Sequence, residues 1–174
     1  MNLPYRRFGR TNLNMPVLSL GGMRFQQSWN HLDSSEITIK QRKKVDNLLI
    51  LANKYGFNHI ETAFHYGTSE LELGFAIKNS YRDSIIIQTK IPPNNNVNIF
   101  TENLENSFKN LKVKKINLVA IHGLNNDEHL SQSIRDGGCV DVLRKYQKKG
   151  LIDHIGFSTH GKLSLIKKAI SSNQ

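Results

Sequence analysis

Cysteine is the scarcest reactive residue in this sequence, with one, Cys139, among 174 residues. A lone thiol excludes an internal disulfide and cannot build a cysteine-based zinc or iron-sulfur site, so any redox work needs a borrowed cofactor. Long apolar runs are also missing: no stretch approaches the roughly 20 residues that a membrane span requires. The opening Met1-Asn2-Leu3-Pro4-Tyr5-Arg6-Arg7 lacks the apolar core of a signal peptide, which predicts a cytoplasmic protein. With only four prolines and 38% hydrophobic residues, the composition has no collagen-like, mucin-like or disordered bias and predicts a folded chain. Its length predicts one domain over residues 1–174.

Acidic residues are the second deficit. Lys and Arg number 24 against 14 Asp and Glu, a formal charge of +10, which raises the question of nucleic-acid binding. The distribution argues against it. Lys43-Lys44, Lys112 with Lys114-Lys115, Lys148-Lys149 and Lys167-Lys168 fall within or just after separate predicted helices, mostly toward their C-terminal ends, where cations complement the helix dipole. They read as solvated helix ends, and nucleic-acid binding ranks last.

What the sequence does contain is alternation. After a turn signal near Phe8-Gly9-Arg10-Thr11-Asn12, short apolar runs recur at Val17-Leu18-Ser19-Leu20, Phe57 to Thr62, Ile85-Ile86-Ile87, Ile116 to Ile121 and Ile152 to Phe157. Several are nearly continuous, as expected of parallel strands buried on both faces. Between them lie helix-period stretches: Val45, Leu48, Leu49 and Ala52 before Gly56; a Ser69–Glu72 capping-box pattern before Leu73 and Ile77; Phe100, Leu104, Phe108 and Leu111; Val140 and Leu143 before Gly150; and Leu163, Ile166 and Ile170. Five βα units of this kind suit either an open doubly wound sheet or the first part of a (β/α)₈ barrel. A Rossmann fingerprint needs G-x-G-x-x-G, and Gly21-Gly22-Met23-Arg24-Phe25-Gln26 offers only adjacent glycines, which lowers the first option.

Glu61, Lys90, His122 and Ser158 each follow an apolar run at or near its C-terminal end, and Tyr66 lies in the loop after Glu61. In a (β/α)₈ barrel those ends ring the active site, so the residues would converge. Carbonyl reduction needs a hydride donor at carbon and a proton donor within reach of the oxygen. Tyr66 suits the second role, an ammonium such as Lys90 favours its phenolate form, Glu61 can hold Lys90, and His122 can donate to the substrate oxygen. Competing chemistries fit less well. No His-x-His ends the first strand and no His-Glu-x-x-His occurs, so no metal site is predicted despite seven histidines. Ser158 lacks the second glycine of a nucleophile elbow, and Cys139, beside Gly137-Gly138, reads as inert.

Glu61-Thr62-Ala63-Phe64-His65-Tyr66-Gly67, Thr89-Lys90, Ile121-His122-Gly123-Leu124 and Gly156-Phe157-Ser158-Thr159-His160 resemble, in order and spacing, the successive signatures of the aldo-keto reductases. The resemblance implies a partial TIM (β/α)₈ barrel of about five βα units after an N-terminal hairpin, Tyr5 to Pro16, that closes the barrel bottom. It implies an oxidoreductase moving a hydride between NADPH, or NADH, and a small-molecule carbonyl or alcohol. By the same resemblance the catalytic residues are Tyr66 as proton donor, Lys90 as its activator and His122 as substrate orienter, with Glu61 in the place of the family's aspartate. Gly22 and Met23 would border the cofactor or substrate pocket, and Ser158 and Thr159 would meet the nicotinamide carboxamide. The extra methylene of Glu61 resembles a bacterial subgroup reading Glu-Thr-Ala there, whose members often append a ferredoxin-like iron-sulfur segment that this sequence lacks. A whole barrel takes about 250 residues, so the resemblance implies a C-terminally truncated domain with weak cofactor binding unless a complementing C-terminal chain completes it. The alternative expectation is an inactive remnant or interaction module.

Overall fold

The computed structural model describes residues 3–80 and 84–172. It opens with a hairpin. Strands β1 (Tyr5–Arg7) and β2 (Asn14–Pro16) pair antiparallel, Tyr5 opposite Pro16 and Arg7 opposite Asn14. The reversal occurs at a 3₁₀ turn, Gly9–Thr11, with Gly9 and Asn12 in the left-handed region (φ +52° and +58°) that glycine and asparagine tolerate best. The turn predicted near Phe8 to Asn12 is therefore present.

Five strands then form one parallel sheet: β3 (Leu20–Gly21), β4 (His59–Glu61), β5 (Ile86–Ile91), β6 (Ile116–Ile121) and β7 (Ile152–Phe157). Each lies beside its predecessor, in the order β3-β4-β5-β6-β7. A doubly wound sheet must reverse direction at a switch point; here no reversal occurs, and the alternative that periodicity leaves open falls to the barrel. The connecting helices are α1 (Ile39–Lys54), α2 (Ser69–Ser80), α3 (Val97–Leu111), α4 (Asp127–Ile134), α5 (Cys139–Lys148) and α6 (Leu163–Ser171). This is the expected run of βα units after a hairpin, part of a (β/α)₈ barrel.

Alternation along the strands separates two faces. Ile60, Ile87, Val119 and Ile121 pack with Leu73, Ile77, Phe100, Leu104 and Leu111 in the main core, each with almost no exposure. A fully buried side chain of this size is worth about 1.5–3 kcal/mol, so these stripes hold the helices on the sheet. The opposite face is polar toward the strand C-termini, where Glu61 sits in register with Gln88 and Lys90 with Ala120. At its N-terminal end, Met15 and Leu13 of the hairpin pack on Ile86 and Leu118.

Several local expectations need correction. Val17 and Leu18 are half exposed and outside the sheet, because the Val17 backbone N–H still bonds Pro4 in the hairpin (3.0 Å) and parallel pairing begins only at Leu20. Ser69 does not cap α2. Its hydroxyl donates to the Gly22 carbonyl (2.7 Å), while the buried Glu72 carboxylate accepts from Thr68 Oγ1 (2.8 Å), Gln41 Nε2 (2.9 Å) and the Gln27 backbone N–H. Glu72 thus ties the loop after β3 and helix α1 to α2. Helix α4 was not expected; with eight residues it is too short to show a period, and it is begun by Asn126 Oδ1 accepting from the His129 N–H (2.8 Å). In α6 the inward residues are Leu165 and Ala169, whereas Leu163 and Ile170 are exposed. Lys43-Lys44 lies in the first half of α1, not at its C-terminal end. No helix among the described residues is long and apolar enough to cross a membrane.

Two predictions follow from the α2–α3 contact. A Cβ on Gly74 would lie 2.1 Å from the Asn110 carbonyl oxygen, so Gly74→Ala is expected to destabilise by roughly 1–3 kcal/mol, read as a lowered thermal midpoint. An unchanged midpoint would mean that the helices are free to part. Beside it, the buried Glu70 accepts from Thr89 Oγ1 at 2.6 Å and Asn110 Nδ2 at 3.4 Å, yet burial still pushes its carboxyl above the ordinary 4.5. The native state therefore keeps a proton that the unfolded chain releases. Its stabilisation is full below pH 4.5 and is lost as pH rises through the raised native value. Glu70→Gln, which never ionises, should gain stability over the parent as pH climbs through that window in urea titrations; a pH-independent difference would contradict the burial argument.

Candidate active site

The C-terminal ends of β4, β5 and β6 present the site. Glu61 ends β4, Lys90 is the penultimate residue of β5, and His122 follows β6, its N–H bonding the Ile91 carbonyl (2.8 Å). Beyond β4 the chain stays beside β5: the Thr62 N–H bonds the Gln88 carbonyl (2.8 Å) and the Phe64 N–H that of Lys90 (3.0 Å). It then turns at Ala63–Tyr66 and Gly67. Gly67 has φ +55°, and a Cβ there would lie 2.0 Å from the Ser28 carbonyl oxygen, so only glycine permits this turn. The turn brings Tyr66 back over Lys90.

Lys90 Nζ has three partners: Glu61 Oε1 at 2.7 Å, the Thr62 carbonyl at 3.0 Å and the Tyr66 hydroxyl oxygen at 3.3 Å. An ammonium has three N–H donors and no acceptor, so this set uses every proton that Lys90 carries. The Tyr66 oxygen is an acceptor in its bond to Lys90, so its own O–H must point elsewhere. Lys90 is nearly dry, with 6% side-chain exposure against 37% for Glu61, and a buried ammonium needs such pairing to stay charged. The Glu61 carboxylate, one methylene longer than that of an aspartate, reaches the lysine directly.

His122 stands edge-on to Tyr66, ring centroids 5.7 Å apart at 87°. Burial, followed by the charges of Lys90 and His65, lowers its pKa to about 4, so the ring is neutral near pH 7. Its Nδ1 is buried without a hydrogen-bond partner among the described residues. His65 lies 6.1 Å from His122, and Phe64 stacks at a tilt between His65 and His31. These neighbouring histidines had no expected role. His65 is signalled in the sequence only by its adjacency to Tyr66, and His31 by nothing.

Glu61, Tyr66, Lys90 and His122 are thus brought together. The other four candidates lie on the loops after β3 and β7. Gly22 is buried, with its carbonyl accepting from Ser69, and a Cβ there would stand 2.9 Å from the Glu61 carbonyl oxygen. Met23 is 41% exposed, an open thioether beside that wall. Ser158 Oγ accepts from the Gly123 N–H (3.0 Å), which leaves its own proton unassigned. Thr159 Oγ1 donates to the Leu124 carbonyl and accepts from the Gly161 N–H (2.7 Å), so both its bonding directions are taken. Sequence reasoning missed His59 and Gln88, which lie on the same face as Glu61 and Lys90; each sits two residues before its charged neighbour, the strand period.

Comparison with known proteins places this geometry in a family. A model of the aldo/keto reductase family matches residues 17–174. No curated protein matches the chain. Among solved structures, a protein from Pseudomonas aeruginosa named as an aldo-keto reductase is 28% identical with a TM-score of 0.74, covering 94% of this chain and 64% of that one. A thermostable aldo-keto reductase solved with the inhibitor epalrestat is 28% identical with a TM-score of 0.79, covering 98% and 58%. A Bombyx mori aldo-keto reductase in complex with NADP, 20% identical with a TM-score of 0.69 over 98% of this chain and 55% of that one, shares the fold. The chain therefore spans about three fifths of the length of the structures it resembles. On the family match over most of its length and the shared barrel strands, this chain belongs to the aldo/keto reductase family.

Proposed function

We propose that the chain is a nicotinamide-dependent carbonyl oxidoreductase with Tyr66 as proton donor. The observation that supports this most is the saturated ammonium of Lys90. Because Lys90 donates to the phenol oxygen, the Tyr66 proton is directed to whatever acceptor enters the site. A carbonyl oxygen gaining negative charge is such an acceptor. When that proton leaves, the phenolate oxygen remains 3.3 Å from Lys90 Nζ, which stabilises it. Glu61 holds the ammonium in place, and neutral His122, edge-on to Tyr66, orients the substrate oxygen.

A bound NADPH or NADH would supply the hydride to the carbonyl carbon. The residues on hand fit such a group in part: Ser158 has a proton to offer a carboxamide, Met23 an open apolar surface, and Gly22 and Thr159 shape the wall while their polar atoms bond within the protein. The small-molecule substrate is a carbonyl compound or the corresponding alcohol.

Tyr66→Phe removes the proton and leaves the ring, so NADPH-dependent reduction of a simple aldehyde should fall by about 10²–10⁴-fold while the folded state is kept. Turnover is followed by NADPH absorbance with this chain alone and with a second polypeptide supplying further βα units; undiminished turnover by the variant in both would overturn the assignment. His122 should titrate by NMR at about 4, not near the ordinary 6.5. Because its native pKa is depressed, its contribution to stability is present above 6.5 and lost as pH falls through 4. A midpoint near 6.5 would mean that neither burial nor the Lys90 charge acts on the ring, and would overturn this account of the site.

A further inference from the structure

The inner face of the sheet carries two polar side chains that the proposed chemistry does not use. His59 is buried at 4% exposure and Gln88 is half-buried, at positions where a barrel interior normally takes apolar residues. They are joined. Gln88 Nε2 donates to Glu61 Oε2 at 3.3 Å, Gln88 Oε1 lies 3.1 Å from His59 Nε2, and His59 Nδ1 lies 2.7 Å from Ser19 Oγ.

The direction of these bonds follows from the donor inventory. Glu61, as a carboxylate, only accepts, so Gln88 must show it the amide nitrogen and turn its oxygen to His59. That oxygen also only accepts, so His59 must carry its proton on Nε2. Nδ1 is then an acceptor, and the Ser19 hydroxyl donates to it. Burial lowers the pKa of His59, which keeps the ring neutral and the single tautomer defined. Donors therefore converge on both oxygens of Glu61, Lys90 on Oε1 and Gln88 on Oε2.

We propose that Gln88, oriented by His59, is a positioning residue that holds one oxygen of Glu61 so that the other stays on Lys90. The need arises from the residue type. A glutamate has one more rotatable bond than an aspartate, and at 37% exposure the Glu61 carboxylate can gain hydration by swinging away from Lys90. A second, fixed hydrogen bond removes that freedom, and a fully satisfied chain of this kind rigidifies the groups it joins. The role in turnover rests on the reductase reading above; the geometric role does not.

The experiment uses the full chain with Gln88→Met, which keeps length and removes the amide, and His59→Phe, which keeps a ring and removes the Nε2 donor. Hydrogen exchange of the Lys90 ammonium, followed by ¹⁵N NMR, should accelerate about tenfold in both for the loss of one net hydrogen bond. In the turnover arm kcat should fall by about 10- to 100-fold with KM little changed. Unaltered ammonium exchange in the folded variants would overturn the proposal. Should both variants fail to fold, the unmodified protein still decides: ¹⁵N shifts must show His59 as the Nε2–H tautomer, and the Nδ1–H tautomer would exclude the chain of donors. A Tyr66→Phe protein with full turnover would instead sink the reductase reading and leave the exchange result to judge Gln88.

Discussion

The buried ammonium of Lys90 is the constraint around which this end of the molecule is arranged. A charge at 6% exposure is tolerable only when its protons are matched, and three acceptors from the single stretch Glu61 to Tyr66 do so. Glu61 reaches it because β4 and β5 are parallel and adjacent. The Thr62 carbonyl reaches it because the chain after β4 keeps bonding β5 for three more residues. Tyr66 reaches it because Gly67 allows a left-handed turn against Ser28. Each contact is local in space and distant in sequence, so the site forms only once the parallel sheet has formed.

The same ammonium shapes its surroundings. Together with burial it keeps His122 neutral, so the site places one ion pair, one phenol and one uncharged imidazole within a few ångströms. The ion pair carries no net charge, so the site combines polar groups without an excess of positive charge. Such fixed dipoles need no rearrangement when charge develops. The excess of lysines and arginines lies mostly outside this site, much of it along the helices.

Legibility in the sequence followed strand length. Strand β6, lying between β5 and β7, and edge strand β7, of which only Ile152 is buried, each run to six residues and have the bounds that their runs predict. Strand β3 has two residues and an edge position, so the apolar Val17-Leu18 before it was an unreliable marker. Helix α4 escaped notice because two apolar residues, Leu130 and Ile134, do not establish a period. Glu61, Lys90 and His122 were legible because each interrupts or ends an apolar run where a barrel needs chemistry. Gln88 and His59 were not, since a polar residue inside a short run reads as noise until its partner on the next strand is known. Ser69 misled for a related reason: a capping pattern is judged along the chain, whereas its hydroxyl is claimed across space by Gly22.

The inner face of the sheet shows why the buried charge can sit where it does. At its N-terminal end Ile86 and Leu118 are covered by Leu13 and Met15 of the hairpin, an apolar floor. Two residues further along β5, Gln88 accepts from His59 and donates to Glu61, its register partner on β4, and two residues beyond it Lys90 completes the ion pair. Polarity therefore rises from floor to mouth in steps of two residues, the pleat period. Each layer satisfies the one above: an amide can meet a carboxylate without adding charge, and an imidazole can meet an amide without requiring water. An apolar layer in place of His59 and Gln88 would set the Glu61 carboxylate directly on hydrocarbon, where desolvation favours its departure toward solvent. The neutral polar layer is the physical intermediate that allows an ion pair to be anchored from below in a protein interior.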